Sequence, residues 1–263
     1  MNMKTHGHKM VLPKEMQEPS NRAEDYMLLI FGPPKVGKTT FASQFDRPLF
    51  FSTDRGTRFI KTYSMDVLSW KDFLIAIKLL ETKGADRYGC FVIDHVDDLF
   101  KMCQDYTCKK MGIEHPADGE WGKGWAALRD TFIKGMRRLL RQGQGIIFIA
   151  HEDIKTIKTR TSEIERTMPA MPKTARRIII PAVDVIAYAG FKIIKKGKER
   201  IQQRVLITEP TESLEVGDRT GRCPPSMPLN GRRFLHMFTK GVVTHEEGKE
   251  TSRRGRRRRG GAG

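Results

Sequence analysis

The sequence predicts an α/β fold: a mostly parallel sheet flanked by helices, with a β-hairpin extension at the C-terminal end. Three observations lead to this prediction. Short apolar runs alternate with stretches of helical periodicity, which favours parallel strands joined by crossover helices. A glycine-rich loop joins the first run to the first helix. Two later runs, residues 191–194 and 204–208, flank a short Gly/Lys turn, which is typical of a hairpin.

The composition limits the class of protein. The chain has 263 residues, of which 38% are hydrophobic and 30% charged, so it can bury the core of one large domain. No apolar run approaches the ~20 residues that span a bilayer, and residues 1–22 lack the apolar segment of a secretory signal. The four cysteines include no C-x-x-C pair. We therefore expect a reduced, cytoplasmic protein that does not associate with membranes.

The chain is strongly basic, with a formal net charge of +17. Six arginines lie in a glycine-rich tail near the C-terminus, yet the rest of the chain remains basic without them. Such a charge favours a polyanionic partner, most often nucleic acid. The alternative is a solvated basic surface with no partner.

The first strand, loop and helix carry the clearest motif. Residues 26–31 read as a buried strand, residues 32–39 fit G-x-x-x-x-G-K followed by Ser or Thr, and residues 39–45 start a helix. In this phosphate-binding loop, backbone N–H groups and the helix N-terminus face phosphate oxygens. Lys38 should reach the β- and γ-phosphates, and the Thr39 hydroxyl should bind Mg²⁺. The residues expected to contact the nucleotide are Gly32, Pro33, Pro34, Lys35, Val36, Gly37, Lys38, Thr39 and Thr40.

Three further strands end in polar residues. Residues 48–52 precede a turn that holds Asp54, residues 90–94 end in Asp94, and residues 145–150 end just before His151. Ligands of open α/β sheets bind at the carboxyl ends of the strands. An aspartate at the end of an apolar strand, downstream of such a loop, is the expected Mg²⁺-shell carboxylate. His151 is interpreted as a γ-phosphate sensor, with a hydrogen-bonded loop histidine as the rival interpretation.

Helices are predicted between these strands. Ser69 resembles an N-cap for a helix over residues 70–80, and residues 96–103 continue as a helix face. Residues 111–124 read as a loop, and residues 125–140 as a long amphipathic helix with a basic outer face. For that basic face we favour a solvated surface over a nucleic-acid groove.

The C-terminal half is harder to interpret. Residues 153–177 are polar and basic and show no clear core pattern, which is typical of a functional or disordered segment. The predicted hairpin follows, then a Gly/Pro-rich loop over residues 209–230 and a short helix near residues 231–238. We expect a flexible arm at residues 1–24, one domain over residues 25–240, and a disordered basic Arg/Gly tail at residues 241–263.

Together these residues resemble the phage-encoded P-loop ATPases of the minimal RecA-like type, which act as single-strand annealing or recombination proteins. The resemblance covers residues 26–238. Its marks are the loop at 32–40, the turn around Asp54, the strand ending in Asp94, the stretch 122–125, the strand before His151, and the segments 183–185 and 218–221. It implies a RecA-like P-loop core that binds ATP and Mg²⁺ and hydrolyses ATP.

The resemblance also implies roles for single residues. Lys38 binds phosphate, Thr39 and Asp94 hold Mg²⁺, Asp54 orients the attacking water, and His151 senses the γ-phosphate. Asp54 is one methylene shorter than the usual Glu. His95 follows Asp94 where AAA+ motors place a Glu, which favours the RecA-like subclass. The resemblance also implies a Lys or Arg of a neighbouring subunit that completes the site; the candidates here are Lys195, Lys196 and Arg219.

The implied partners follow from the same family. Residues 152–177 correspond in position to a DNA-binding loop, so single-stranded DNA is the expected ligand in a bacterial host cytoplasm. A homo-oligomer, filament or ring, is expected, and a phage or host single-strand-binding protein is a candidate partner. Two rival functions remain: a P-loop switch or partition-type ATPase acting on a protein partner, and a nucleotide-binding module with little hydrolysis.

Overall fold

The structure is a computed structural model that describes residues 12, 14–158, 163–196 and 199–240. The predicted C-terminal tail at 241–263, most of the predicted N-terminal arm and the turn of the predicted hairpin at 197–198 lie outside the described residues. The domain boundaries therefore stay predictions.

Strands and helices alternate through the first two thirds of the chain. The strands are β1 Leu28–Phe31, β2 Pro48–Ser52, β3 Tyr63–Asp66, β4 Cys90–Asp94, β5 Ile146–Ala150, β6 Glu152–Lys158, β7 Glu163–Pro169, β8 Val185–Lys196, β9 Glu199–Ile207, β10 Gly217–Asp218 and β11 Ser226–Pro228. The α-helices are α1 Lys38–Ala42, α2 Trp70–Lys83, α3 Val96–Met111, α4 Lys123–Leu140, α5 Lys173–Ile179 and α6 Gly231–Thr239.

Nine of the described strands form one sheet in the order β11-β9-β8-β1-β5-β4-β2-β3, with β10 beside β8. The six strands from β8 to β3 in that order are all parallel, whereas β9, β10 and β11 run antiparallel to their neighbours. The predicted fold class, including the C-terminal hairpin extension, is confirmed. Because β5 lies between β1 and β4, the strand before His151 is next to both the loop-bearing strand and the strand that ends in Asp94.

The central strands are buried on both faces, which explains their continuous apolar runs. In β1, Leu29 and Phe31 face one core, which α2, α3, α4 and α5 cover. Leu28 and Ile30 face a second core, which α1 and α6 cover. The sheet is thus sandwiched between two helical layers, and its carboxyl edge remains open for a ligand.

The helices predicted from periodicity are present and pack closely. Ser69 caps α2 by accepting a hydrogen bond from the Asp72 amide at 3.2 Å. The Trp70 ring of α2 stacks on Phe132 of α4, with centroids 5.8 Å apart. Gly135 permits this approach, because a Cβ there would lie 2.6 Å from the Trp70 ring.

The described parts of residues 153–177 contain strands and a helix that the sequence pattern did not reveal. Strands β6 and β7 pair as an antiparallel hairpin, in which Glu152 lies opposite Pro169 and Lys158 lies opposite Glu163. This hairpin is separate from the main sheet, and α5 follows it. Neither strand has a fully buried face, and charged residues pair across them, as in the 3.0 Å contact of Lys158 with Glu163. A hairpin of this kind leaves no apolar alternation to detect. The short exposed edge strand β3 was missed for the same reason.

Strands β8 and β9 form the predicted hairpin, with Phe191 opposite Arg204 and Lys196 opposite Glu199. Tyr188 pairs with Phe31, the last residue of β1, so β8 continues well past the carboxyl end of its neighbour. The hairpin therefore projects beyond the edge where the glycine-rich loop lies. In the part of the chain that the structure describes, no helix is long and apolar enough to cross a membrane.

Candidate nucleotide-binding site

The glycine-rich loop follows β1 and leads into α1. Gly37, with φ of 112°, has a left-handed conformation that a side chain would strain. A Cβ at Gly32 would lie 2.1 Å from the carbonyl oxygen of Ala189, so the loop passes directly against β8. Val36 is fully buried and anchors the loop in the core, while Pro34 and Lys35 remain at the surface of the site.

Lys38 is enclosed by its own loop. Only 5% of the residue is exposed, and its Nζ donates to the carbonyl oxygens of Gly32 at 2.8 Å and Pro33 at 3.0 Å. Burial lowers the pKa of the Lys38 ammonium, and nearby carboxylates, Asp94 foremost, oppose that shift. The ammonium group is therefore enclosed by the backbone of the loop, at the position where a phosphate chain would bind.

Thr39 and Asp94 join the loop to β4. The Thr39 Oγ1 donates to Asp94 Oδ2 at 2.9 Å, and Asp94 is 1% exposed. Burial raises the pKa of the Asp94 carboxyl, while the neighbouring His95 and the Thr39 hydrogen bond act in the opposite direction. The second carboxylate oxygen, Oδ1, is buried, and His95 Nε2 lies 3.2 Å from it, but no hydrogen bond to it forms among the described residues. A hydroxyl beside a carboxylate oxygen without a donor is a set of hard ligands that suits Mg²⁺.

Asp54 lies at the rim of the site, two residues beyond the end of β2. Its Oδ1 accepts a hydrogen bond from the Gly56 amide at 2.8 Å, and its Oδ2 is 3.9 Å from His95 Nδ1. The carboxylate is exposed and faces the same cavity as the loop. It can therefore reach a water molecule near the end of a bound phosphate chain.

His151 lies where β5 ends. Its Nδ1 is 2.9 Å from Asp97 Oδ2, and its ring stacks on His95 with centroids 4.1 Å apart. The histidine is thus hydrogen-bonded, as in the rival interpretation, and also lines the cavity, as a sensor would. His95, whose place after Asp94 favoured the RecA-like subclass, contacts Asp94, Asp54 and His151.

These side chains surround one cavity of about 480 Å³ at the carboxyl edge of the sheet. Its lining residues are Pro34, Lys35, Gly37, Lys38, Thr39, Thr40, Asp54, Gly56, Phe59, Ile60, His95, His151 and Arg204. Asp94 lies beneath this lining and reaches it through Thr39. Three of the predicted loop contacts lie outside this lining: Gly32 and Pro33 bind Lys38 through their carbonyls, and Val36 packs in the core.

Three residues of this lining, Phe59, Ile60 and Arg204, were not predicted from the sequence. Arg204 of β9 comes close to the loop, since a Cβ at Gly37 would lie 3.7 Å from its Nη1. Phe59 is 96% exposed at the mouth of the cavity. Arg204 begins an apolar run that the pattern did assign to a hairpin, but only the pairing of β9 with β8 places it beside the loop.

Arg219, one of the candidates for a group acting on a neighbouring subunit, is bound within its own chain. Its Nε lies 3.0 Å from Asp184 Oδ1, and its Nη2 donates to the carbonyls of residues 181–183. Asp184 precedes β8 at the amino edge of the sheet, opposite the loop. The side chains of the other two candidates, Lys195 and Lys196, lie outside what the structure describes.

The sheet order and the loop geometry define the class of protein. A phosphate-binding loop follows a central parallel strand, and a hydroxyl and a buried carboxylate meet beside it, so the chain is a P-loop nucleotide-binding α/β protein. The AAA domain family matches residues 24–220, and the chain belongs to this family of P-loop ATPases.

One solved structure with a similar chain is a KaiC-like protein from the hyperthermophilic archaeon Pyrococcus horikoshii OT3. The two chains are 14% identical, the match covers 70% of this chain and 79% of that chain, and the TM-score is 0.38. The assignment of class rests on the sheet order and the family match rather than on this likeness. No curated protein matches the chain.

Proposed function

We propose that this protein is a Mg²⁺-dependent ATPase that acts on single-stranded DNA in phage recombination, repair or replication. The observation that supports the ATPase part is the 2.9 Å contact between Thr39 Oγ1 and Asp94 Oδ2. It places the end of the loop and the end of β4 at one point of one cavity, which is the arrangement that Mg²⁺-nucleotide binding requires.

The loop binds the phosphate chain in this proposal. Backbone N–H groups of Gly32 and residues 35–39 face the phosphate oxygens, since Pro33 and Pro34 have no N–H. Lys38 exchanges its contacts with the Gly32 and Pro33 carbonyls for contacts with the β- and γ-phosphates. Thr39 and Asp94 would hold Mg²⁺, which supplies charge neutralisation at those phosphates. The role of the loop in this proposal is to position the nucleotide.

Hydrolysis needs an oriented water and a positive charge near the γ-phosphate. Asp54 at the cavity rim orients the water in this proposal. Arg204 supplies charge from the same chain, since its guanidinium lies against the loop at Gly37. This arginine takes the role for which a group from a neighbouring subunit was expected.

His151 and its neighbours connect the site to the β6–β7 hairpin. The His151 carbonyl accepts a hydrogen bond from Ala170 at 2.8 Å, just after β7. Glu152, the first residue of β6, accepts a hydrogen bond from the Tyr188 hydroxyl of β8 at 2.9 Å, and burial with this contact raises the pKa of Tyr188 to about 12. A change at the γ-phosphate can therefore reach both hairpins.

The distribution of charge favours the β8–β9 hairpin as the DNA-binding element. The β6 and β7 strands carry four carboxylates against three cationic side chains, and Lys155 and Lys158 pair with carboxylates of the hairpin itself. The β8 and β9 strands carry five cationic residues and one glutamate. Phe191 is 48% exposed on this hairpin, opposite Arg204. Cationic residues with an exposed aromatic ring suit single-stranded nucleic acid.

The proposed location is the cytoplasm of a bacterial host cell, where reduced cysteines such as the buried Cys90 and Cys103 persist. A filament or ring of copies along the DNA is proposed as the working form, with a phage or host single-strand-binding protein as a further partner. Fold class alone supports none of these.

An ATPase assay with and without single-stranded DNA tests the proposal. We expect Mg²⁺-dependent turnover that rises when DNA is added, and Lys38→Ala should abolish turnover while the protein stays folded. Turnover by Lys38→Ala equal to the wild type would contradict the active-site assignment. Wild-type turnover that does not respond to DNA, together with no DNA binding at ~50 mM salt, would contradict the DNA role.

A further inference from the structure

A second cavity of about 710 Å³ lies far from the loop. Met27 and Ile146, at the starts of β1 and β5, contribute to its floor, so it opens at the amino edge of the sheet rather than at the carboxyl edge. Its walls are α4 and α5. We call it the α4–α5 groove. It belongs to no part of the proposed nucleotide or DNA sites.

The groove is long and has an apolar floor. Its α4 wall runs from Trp125 to Leu140, a distance of ~22 Å at the helical rise of 1.5 Å per residue. Trp125 is 38% and Leu140 37% exposed, and Ile133 and Ile178 also line it. An amphipathic segment laid along the groove matches this length, whereas a compact small molecule would fill only part of it.

The rim of the groove is positively charged. Arg129, Arg137 and Arg177 line it, and no Asp or Glu is among its lining residues in the described part of the chain. Arg129 has an exposed contact with Asp130 at 3.7 Å, a kind of pair that contributes little. Arg137 and Arg177 form no ion pair within residues 14–158, 163–196 and 199–240. An occupant must therefore combine apolar side chains with negative charge.

We propose that the α4–α5 groove docks an acidic amphipathic segment of a different protein. The segments of this chain outside the described residues do not fit: residues 1–11 carry two lysines and no carboxylate, and residues 241–263 carry seven lysines and arginines against three glutamates. A second copy is disfavoured because the chain carries a net charge of +17. Nucleic acid would satisfy the arginines but has no side chains to cover the apolar floor.

Fluorescence anisotropy with the full-length protein tests this docking. The probe is a labelled synthetic peptide of about 16 residues, or about four helical turns, with Leu at positions i, i+3, i+4 and i+7 and Glu on the flanking positions. A peptide of the same composition with scrambled spacing is the control. We expect the wild type to bind the amphipathic peptide at least roughly tenfold more tightly than the scrambled one.

Charge reversal on the groove gives the specific test. The double variant Arg137→Glu/Arg177→Glu should weaken binding of the Glu peptide by roughly tenfold or more and should favour a version with Lys in place of Glu. Lys134→Glu, on the same helix but not in the groove, should bind like the wild type. Unchanged ATP binding and thermal melting of each variant would show that the fold is intact.

Several results would contradict the docking of an acidic segment in the α4–α5 groove. Absence of peptide binding, equal binding of the scrambled peptide, or an equal loss in Lys134→Glu would overturn the proposal. Displacement of the peptide by single-stranded DNA at matched charge would identify a general polyanion surface instead. Self-association that the double variant abolishes would identify a second copy as the occupant and would also overturn it.

Discussion

Arg204 shows how one side chain can complete a site from a distant part of the chain. It is 167 positions beyond Gly37 in the printed numbering, yet its guanidinium lies next to the loop. A preorganised cation at a developing negative charge is worth far more in a partly enclosed site than in water. We infer that Arg204 acts on the phosphate chain in its own subunit.

The Arg204→Ala variant should lower the rate of ATP hydrolysis by about 10²–10³, the usual cost of removing one such donor. Binding of ADP, which lacks the γ-phosphate, should change little. Steady-state kinetics without DNA and ADP titration measure the two effects. Gln202→Ala, two residues earlier on the same strand, is the control and should keep the wild-type rate. A rate in Arg204→Ala within twofold of the control would rule out this role.

Asp94 is a carboxylate that is buried at the proposed Mg²⁺ site. Burial raises its pKa in the folded protein, so the ionised form is disfavoured there relative to the unfolded chain. A raised folded pKa adds stability at pH values below the unfolded pKa, and this contribution is lost as pH rises through the folded pKa. In the nucleotide-free protein, ionisation of Asp94 therefore lowers the stability of the fold.

Replacing Asp94 by Asn should therefore stabilise the nucleotide-free protein at neutral pH, by on the order of 1 kcal/mol. The Asn side chain keeps an oxygen that can accept the Thr39 hydrogen bond. Thermal melting of both proteins from pH 7 down to pH 4 measures the effect, and the advantage of Asp94→Asn should shrink as the pH falls. An Asn variant that melts below the wild type at pH 7 would show that the ionised carboxylate stabilises the fold.

Among the elements, the distribution of charge favours a different hairpin for DNA binding from the one that the sequence indicated. The family resemblance implied a DNA-binding loop at residues 152–177, but β6 and β7 largely pair their own charges. The β8–β9 hairpin projects past the carboxyl edge with Lys192, Arg200 and the exposed Phe191. The charge and exposure of the β8–β9 hairpin therefore favour it over the β6–β7 hairpin as the proposed DNA-binding surface.

Matched substitutions on the two hairpins distinguish them. Phe191→Ala should weaken binding of labelled single-stranded DNA by about 1–3 kcal/mol, because a base loses its stacking platform. Arg200→Ala should weaken binding and make it less sensitive to salt, because one phosphate contact is lost. Lys155→Ala on β6 should have a small effect. If Lys155→Ala weakens binding more than either of the β8–β9 variants, the DNA lies on the β6–β7 hairpin.

Considered as a whole, the molecule shows which features a sequence can predict. The loop at 32–39, the strand ending in Asp94 and the strand before His151 depend on local patterns, and all three occur at one edge of the sheet. Each pattern combines an apolar run with a polar residue at its end. Since parallel strands end at the same edge, such local information already predicts where the ends meet.

Features that depend on long-range packing escaped prediction. Arg204 lies beside the loop only because of the register of β9 on β8. The α4–α5 groove forms where two helices that are distant in sequence leave apolar side chains exposed between them. The β6–β7 hairpin is stabilised by backbone pairing and surface charge, which give no hydrophobic period. Such contacts are set by tertiary structure, whereas periodicity reports only local burial.

We propose that the loop and the end of β4 form a single Mg²⁺-nucleotide site. The decisive experiment is equilibrium binding of a fluorescent ATP analogue, with and without Mg²⁺, to the wild type and to Asp94→Asn. Mg²⁺ should tighten binding to the wild type by roughly tenfold or more, and Asp94→Asn should lose most of that gain while still binding the nucleotide. An equal gain from Mg²⁺ in both proteins would contradict the claim, because the metal would then be held without Asp94.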